Sequence, residues 1–249
     1  MFRAAATILS FDLKTLLRDQ FLFVVAGITG LFLIALAAIG INREVLELTH
    51  WQPWIAYLLI MFVLSNAGTY GMLFGLIFVE EVETRARAAL MVSPIPSTHL
   101  TLLRTVNLLI WLSVQPVLFV GFVDAAWQAT PLESFEWGLL CLSLAPLGAA
   151  FMIILSTIAS NRVEALAMGK FFSLATTPPM LLFLLPPDVW YRPLFLTFPT
   201  TPAVHGFDAF RNGDTNSAYI WLGAGFSYAL IVLVFAVRRF VRASYRVDA

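Results

Sequence analysis

Six stretches of this chain contain no Asp, Glu, Lys or Arg: residues 21–41, 54–79, 105–123, 137–160, 171–187 and 219–237. A helix needs roughly 20 mostly apolar residues to cross a hydrocarbon core about 30 Å thick. Inside that core each backbone N–H and C=O must find its partner within the protein, which leaves only helices and closed barrels. Barrel strands alternate apolar and polar residues, a pattern absent from this chain. The stretches therefore predict an all-α integral membrane protein with six transmembrane helices. The fifth is interrupted by Pro178 and Pro179 and is expected to begin earlier, near Val163. Composition agrees, with 60% hydrophobic and 12% charged residues, where a soluble domain carries about 25% charged. The net charge of +0 supplies no basic field for a nucleic-acid partner. No cleavable signal peptide is expected, because charges run through the first twenty residues ahead of an apolar run too long for a signal core.

Orientation follows from Lys and Arg, which concentrate on the cytoplasmic side. One set of connections carries Arg3, Lys14, Arg18, Arg85, Arg87, Arg104, Arg162, Lys170, Arg238, Arg239, Arg242 and Arg246. The other carries only Arg43, Arg192 and Arg211. Both termini are thus expected in the cytoplasm, with the chain as a multi-pass protein of the inner cell membrane. Trp51, Trp54, Trp127, Trp137 and Trp190 fall at outer boundaries, where interfacial aromatics are expected.

Four segments outside the spans stand out. Phe2, Ala6, Leu9, Leu13, Leu16 and Leu17 share one arc of a helical wheel, beside Arg3, Lys14 and Arg18. This predicts an amphipathic helix over 1–20 lying in the interface. Residues 80–94 read Glu-Glu-Val-Glu-Thr-Arg-Ala-Arg-Ala-Ala-Leu-Met-Val-Ser-Pro. Glu81 with Arg85 and Glu83 with Arg87 are i,i+4 pairs that stiffen a helix. Leu90, Met91, Ser93 and Pro94 lie at its apolar tip, which is costly to expose without a partner. Asn161 with Glu164 reads as an N-cap for the fifth span, or as a partner contact. Residues 188–217 hold Trp190, Phe195, Phe198, Phe207 and Phe210 among three prolines, too aromatic for a solvated loop. They predict short helical pieces set into the outer leaflet.

Within the spans, Gly68, Gly71 and Gly75 form a small-residue face suited to close helix approach, either within the chain or at a dimer seam. Asn66, Asn107 and Gln115 are the notable polar groups of the spans and candidates for pathway or packing roles. No ionisable residue falls near the middle of a predicted span, as a proton- or sodium-coupled carrier requires. His50, His99 and His205 lie in predicted loops, the only cysteine is Cys141, and neither a metal-ligand cluster nor a catalytic constellation is present. Gly169-Lys170 is no phosphate-binding loop, since Phe171 follows it. No catalytic, cofactor or metal residue is assigned, and an energy source is expected on another chain.

The start Phe11-Asp12-Leu13-Lys14-Thr15-Leu16-Leu17-Arg18-Asp19 and the element Leu90-Met91-Val92-Ser93-Pro94 closing a charged segment resemble the ABC transporter type 2 permease superfamily. The family's usual Gly-Thr in that segment is replaced by Ala86-Arg87. Residues 161–170 followed by Pro178-Pro179 are similar to the drug or fluoroquinolone export branch. The resemblance covers nearly the whole chain. It implies a single transmembrane permease domain over 1–249, with an elbow helix at 1–20, a coupling segment at 80–97 and a re-entrant outer segment at 188–217. Glu81, Glu83, Arg85, Arg87, Leu90, Met91, Ser93 and Pro94 would then be the ATPase-coupling residues. It further implies a separate cytoplasmic ABC ATPase carrying ATP and Mg, a second or homologous permease copy, and export of a hydrophobic or amphipathic substrate. The competing reading is a non-transport membrane assembly or sensory subunit, which no ATPase would accompany.

Overall fold

The computed structural model describes Lys14 and residues 20–42, 44, 46–83, 97–186 and 188–246. The expected interfacial helix over 1–20, Lys14 and Gln20 apart, and the stretch 84–96 lie outside the described residues. The described chain is all helical: α1 Gln20–Ile41, α2 Gln52–Glu83, α3 Ser97–Trp127, α4 Ser134–Ile158, α5 Arg162–Thr176, α6 Thr201–Arg211 and α7 Thr215–Arg246. Short 3-10 turns lie at Thr49–Trp51, Pro178–Phe183 and Arg192–Thr197.

Among the described residues four helices, not the expected six, are long and apolar enough to cross a membrane: α2, α3, α4 and α7. In α1, which runs Gln20–Ile41, the described residues count only Gly30–Ile41 as a shorter apolar helix. The fifth predicted span fails for a backbone reason. Proline has no N–H and clashes with the preceding turn. Pro178 and Pro179 therefore convert the chain to a 3-10 turn, and α5 stops after 15 residues, about 22 Å of helix.

No re-entrant loop is identified where one was expected. Residues 188–217 form the Arg192–Thr197 turn and the 11-residue α6, which folds back against α7. The aromatic excess there has a protein destination in part: Phe207 and Phe210 are buried, with Phe207 packed on Trp137 and Phe183. The α6–α7 connection is tight. Gly213 takes φ +78, Gly213 N–H donates to Phe210 O at 3.0 Å and Asp214 N–H to Ala209 O at 2.9 Å, the paired bonds of a glycine-capped helix end. Asp214 then caps α7 by accepting from Ser217 N–H at 3.1 Å.

Helix α4 is the axis of the fold, packed by α2, α3 and α7, and Leu140, Cys141, Leu144, Leu147, Phe151 and Leu155 on it are all buried. Its small residues set the spacing. A Cβ on Gly71 would lie 2.5 Å from Gly148 O, and one on Gly148 would lie 2.9 Å from Ala67 O. The glycine face of α2 is thus consumed inside the chain, against α4.

The helices sort the charges by end. Glu81, Arg104, Arg162 and Arg238–Arg242 gather at one pole. Trp127, Asp124, Tyr57 and Arg211 gather at the other, through the contacts below.

Candidate functional site

The C-terminal turn of α2 is the root of the expected coupling segment, and it binds three other helices. Arg104, near the start of α3, donates from Nη1 to Glu81 Oε2 at 2.7 Å and from Nη2 to Glu81 Oε1 at 2.6 Å. Both residues are buried, with side-chain exposures of 3% and 11%. Two parallel charge-assisted bonds fix distance and angle together. The Arg104 guanidinium also lies 4.7 Å over the Phe78 ring, and Phe78 meets Phe240 of α7 edge-on at 6.3 Å. On the next helix, Arg162 N–H donates to Glu83 Oε2 at 3.2 Å, and its guanidinium stands 3.8 Å from Glu80. Glu80, Glu81 and Glu83 thus hold the ends of α3 and α5, while Phe78 reaches α7.

The predicted N-cap is present. Asn161 Oδ1 accepts from Glu164 N–H at 2.9 Å, and Glu164 Oε2 accepts from Ser160 N–H at 2.8 Å. Local spacing paired Glu81 with Arg85; the partner described here is Arg104, reached through the fold. Arg85, Arg87, Leu90, Met91, Ser93 and Pro94 lie outside the described residues.

The polar residues of the spans divide. Asn66 on α2 donates to Gln115 Oε1 on α3 at 3.2 Å, both buried. Asn66 Oδ1 has no hydrogen-bond partner among the described residues. Asn107 is half-buried and not part of this pair.

At the opposite pole the sequence missed a carboxylate hub. Asp124 accepts from Thr130 N–H at 3.0 Å, Thr130 Oγ1 at 2.6 Å and Trp137 Nε1 at 3.1 Å. Trp127 Nε1 donates to Leu36 O at 2.8 Å. Trp127 and Trp137 are therefore buried ties between helices, not interfacial aromatics, whereas Trp51, Trp54 and Trp190 are exposed. Arg211 donates to the Tyr57 hydroxyl at 2.6 Å and covers its ring. His50 sits in a 3-10 turn, His99 in the first turn of α3 and His205 on α6. His205 stacks on Trp221 at 4.6 Å. Burial, then the Arg192 charge, holds its imidazole below the ordinary 6.5, against the opposing Asp208 carboxylate. Among the described residues no group of three or more His, Cys, Asp or Glu could hold a metal ion.

The result is an ionic joint at the root of the stretch 84–96, with contacts from α2 to α3, α5 and α7. A family model described as Rv2686c-like, fluoroquinolones export permease protein Rv2686c-like, matches residues 12–237. No curated protein matches the chain.

Proposed function

Because the chain belongs to the Rv2686c-like family of fluoroquinolones export permease proteins, within the ABC transporter type 2 permease superfamily, we propose that it lines the membrane pathway of an ATP-driven exporter of hydrophobic or amphipathic molecules, fluoroquinolones among them. The membrane permease class follows from the family. The cargo, the ATPase partner and the orientation are this reading's own content. A separate cytoplasmic ATPase binds ATP and Mg and supplies hydrolysis. The arginine-rich pole faces the cytoplasm, with both termini there, and a second permease copy completes the pathway.

The observation that carries this reading is the Glu81–Arg104 joint. The stretch 84–96 leaves α2 just after Glu83 and returns at Ser97, and Glu81 and Arg104 clamp those two helices together. A displacement applied to that stretch by an ATPase would therefore move α2 and α3 as one lever. Arg162 and Phe78 extend the lever to α5 and α7. A loose connection would absorb the displacement. Leu90 and Met91 are the residues expected to be buried against the ATPase, since a few buried side chains supply most of an interface's energy.

The test is purification of the chain with any ATPase that accompanies it, comparing the native protein with Leu90→Asp/Met91→Asp. Loss of ATPase association, together with increased fluoroquinolone accumulation in cells, supports the reading. Association and efflux unchanged in a folded variant refute the coupling role. If no ATPase accompanies the native chain, the transporter reading itself fails.

A further inference from the structure

We propose that the groove between α4 and α7 at the arginine-rich pole is a site for an anionic phospholipid of the inner leaflet, an inference resting on the orientation given above. The groove encloses about 960 Å³. One part of its wall is apolar, with Ile154 and Ile158 from α4 and Val232 and Phe235 from α7. Its other part carries three guanidinium groups, from Arg238, Arg239 and Arg242. Among the described residues no carboxylate lines it, and none forms an ion pair with the three arginines. Among the described acids of that pole, Glu81 is held by Arg104 and Glu80 by Arg162.

The position selects the occupant. Ile154 and Ile158 belong to the span Ser134–Ile158, and the α7 residues to the span Thr215–Arg242. The apolar part of the groove therefore lies at membrane depth, beyond the reach of a soluble partner, while the arginines stand at its charged end. An apolar channel leading to three guanidinium groups complements a molecule with an acyl chain and a phosphate. Arg recognises phosphate through parallel N–H donors, and basic pockets between helices on the cytoplasmic side suit anionic head groups. On α7, residues 232, 235, 236, 239 and 242 follow the i, i+3, i+4 spacing of one face, so one helix stripe presents both halves of the site.

The test uses the full chain in detergent, with native mass spectrometry after addition of phosphatidylglycerol or phosphatidylcholine. The native chain is expected to retain phosphatidylglycerol about tenfold or more over phosphatidylcholine. The triple variant Arg238→Gln/Arg239→Gln/Arg242→Gln abolishes that preference. Ile158→Trp, which narrows the groove and leaves every charge in place, also weakens it. The corresponding triple Lys variant keeps the charge and folds with the native topology; it retains the preference. Equal retention of the two lipids by the native chain overturns the site. Undiminished retention by Ile158→Trp also overturns it, by reducing the effect to surface attraction. A Phe235→Trp reporter, read by quenching with brominated lipids and corrected for the native tryptophans, tests the site without altering the arginines. Quenching by brominated phosphatidylglycerol no stronger than by brominated phosphatidylcholine overturns it. Displacement of bound lipid by the ATPase assigns the arginines to that protein and overturns it as well. None of these readouts needs transport, so the lipid site and the exporter reading fail separately.

Discussion

Arg104 and Glu81 illustrate how much a single pair carries when water is absent. Desolvating two charges is expensive, and their attraction repays it only with good geometry and both partners present. Here both carboxylate oxygens are engaged, at 2.6 and 2.7 Å. Arg104→Met leaves Glu81 buried without its partner and is expected to cost about 3–5 kcal/mol. The double change Glu81→Leu/Arg104→Met is expected to recover much of that loss, while leaving efflux impaired because the joint is gone. Unfolding temperatures and drug accumulation, measured on the two variants together, check both halves; a double variant as unstable as the single one counts against the ion-pair account. His205 gives a pH signature at the other pole. Its folded imidazole sits below 6.5, so on acidification the unfolded chain takes a proton that the folded chain resists. Stability is therefore full above about pH 6.5 and falls below it until the folded imidazole also protonates. Asp214 is shifted down through its bonds to Ser217, so its contribution disappears only lower, as pH falls past 3.8. The unfolding temperature is expected to drop between about pH 7.5 and pH 5.5, and His205→Gln should flatten that slope. An equal slope in the variant would remove His205 from the account.

At the scale of elements, the α2–α4 contact depends on having nothing at Cβ. Gly71→Ala would place a methyl 2.5 Å from Gly148 O, a backbone atom that cannot rotate away. The expected cost is about 1–3 kcal/mol. Gly223→Ala on α7 meets nothing within 4 Å, so helix propensity alone acts and the change is expected to be neutral or stabilising by up to about 1 kcal/mol. Thermal unfolding of the two variants separates packing from propensity; equal effects would refute the close-approach argument. The apolar runs made α2, α3, α4 and α7 legible from the sequence, because a span imposes its length and composition locally. Pro178 and Pro179 were visible too, but hydropathy does not weigh a missing N–H, and the run over 171–187 scored as apolar although its backbone could not continue as helix. Trp127 and Trp137 looked interfacial because their partners, Leu36 O and Asp124, come from other helices or turns. Glu81 was legible as a member of a charged segment but not as the partner of Arg104, since i,i+4 spacing sees only its own helix. Asn161, whose cap closes within four residues, was read correctly for the same reason that Glu81 was not.

For the whole molecule, the sorting of charge between two poles makes a prediction about sidedness. Arg162, Arg238, Arg239 and Arg242 share an end with Glu81 and Arg104, whereas Arg211 and Arg192 sit at the other with His205 and Asp124. Lys and Arg resist translocation, so the richer end is expected to stay in the cytoplasm. The chain allows a clean test, because its only cysteine, Cys141, is buried in α4 and contributes little background to labelling. Ser160 is exposed at the arginine-rich pole beside Arg162, and Asn216 is exposed at the start of α7 at the other. Neither side chain holds the fold: Ser160 uses only its backbone N–H toward Glu164, and Asn216 makes no cap. In intact cells a membrane-impermeant maleimide is expected to label Asn216→Cys and to leave Ser160→Cys unlabelled until the membrane is opened. The reverse pattern would place the coupling connection outside the cell, away from any ATP, and would sink both the orientation and the transmission role of the Glu81–Arg104 joint. Labelling of both sites in intact cells would mean that the two poles are not separated by a membrane, contrary to the lengths of α2, α3, α4 and α7.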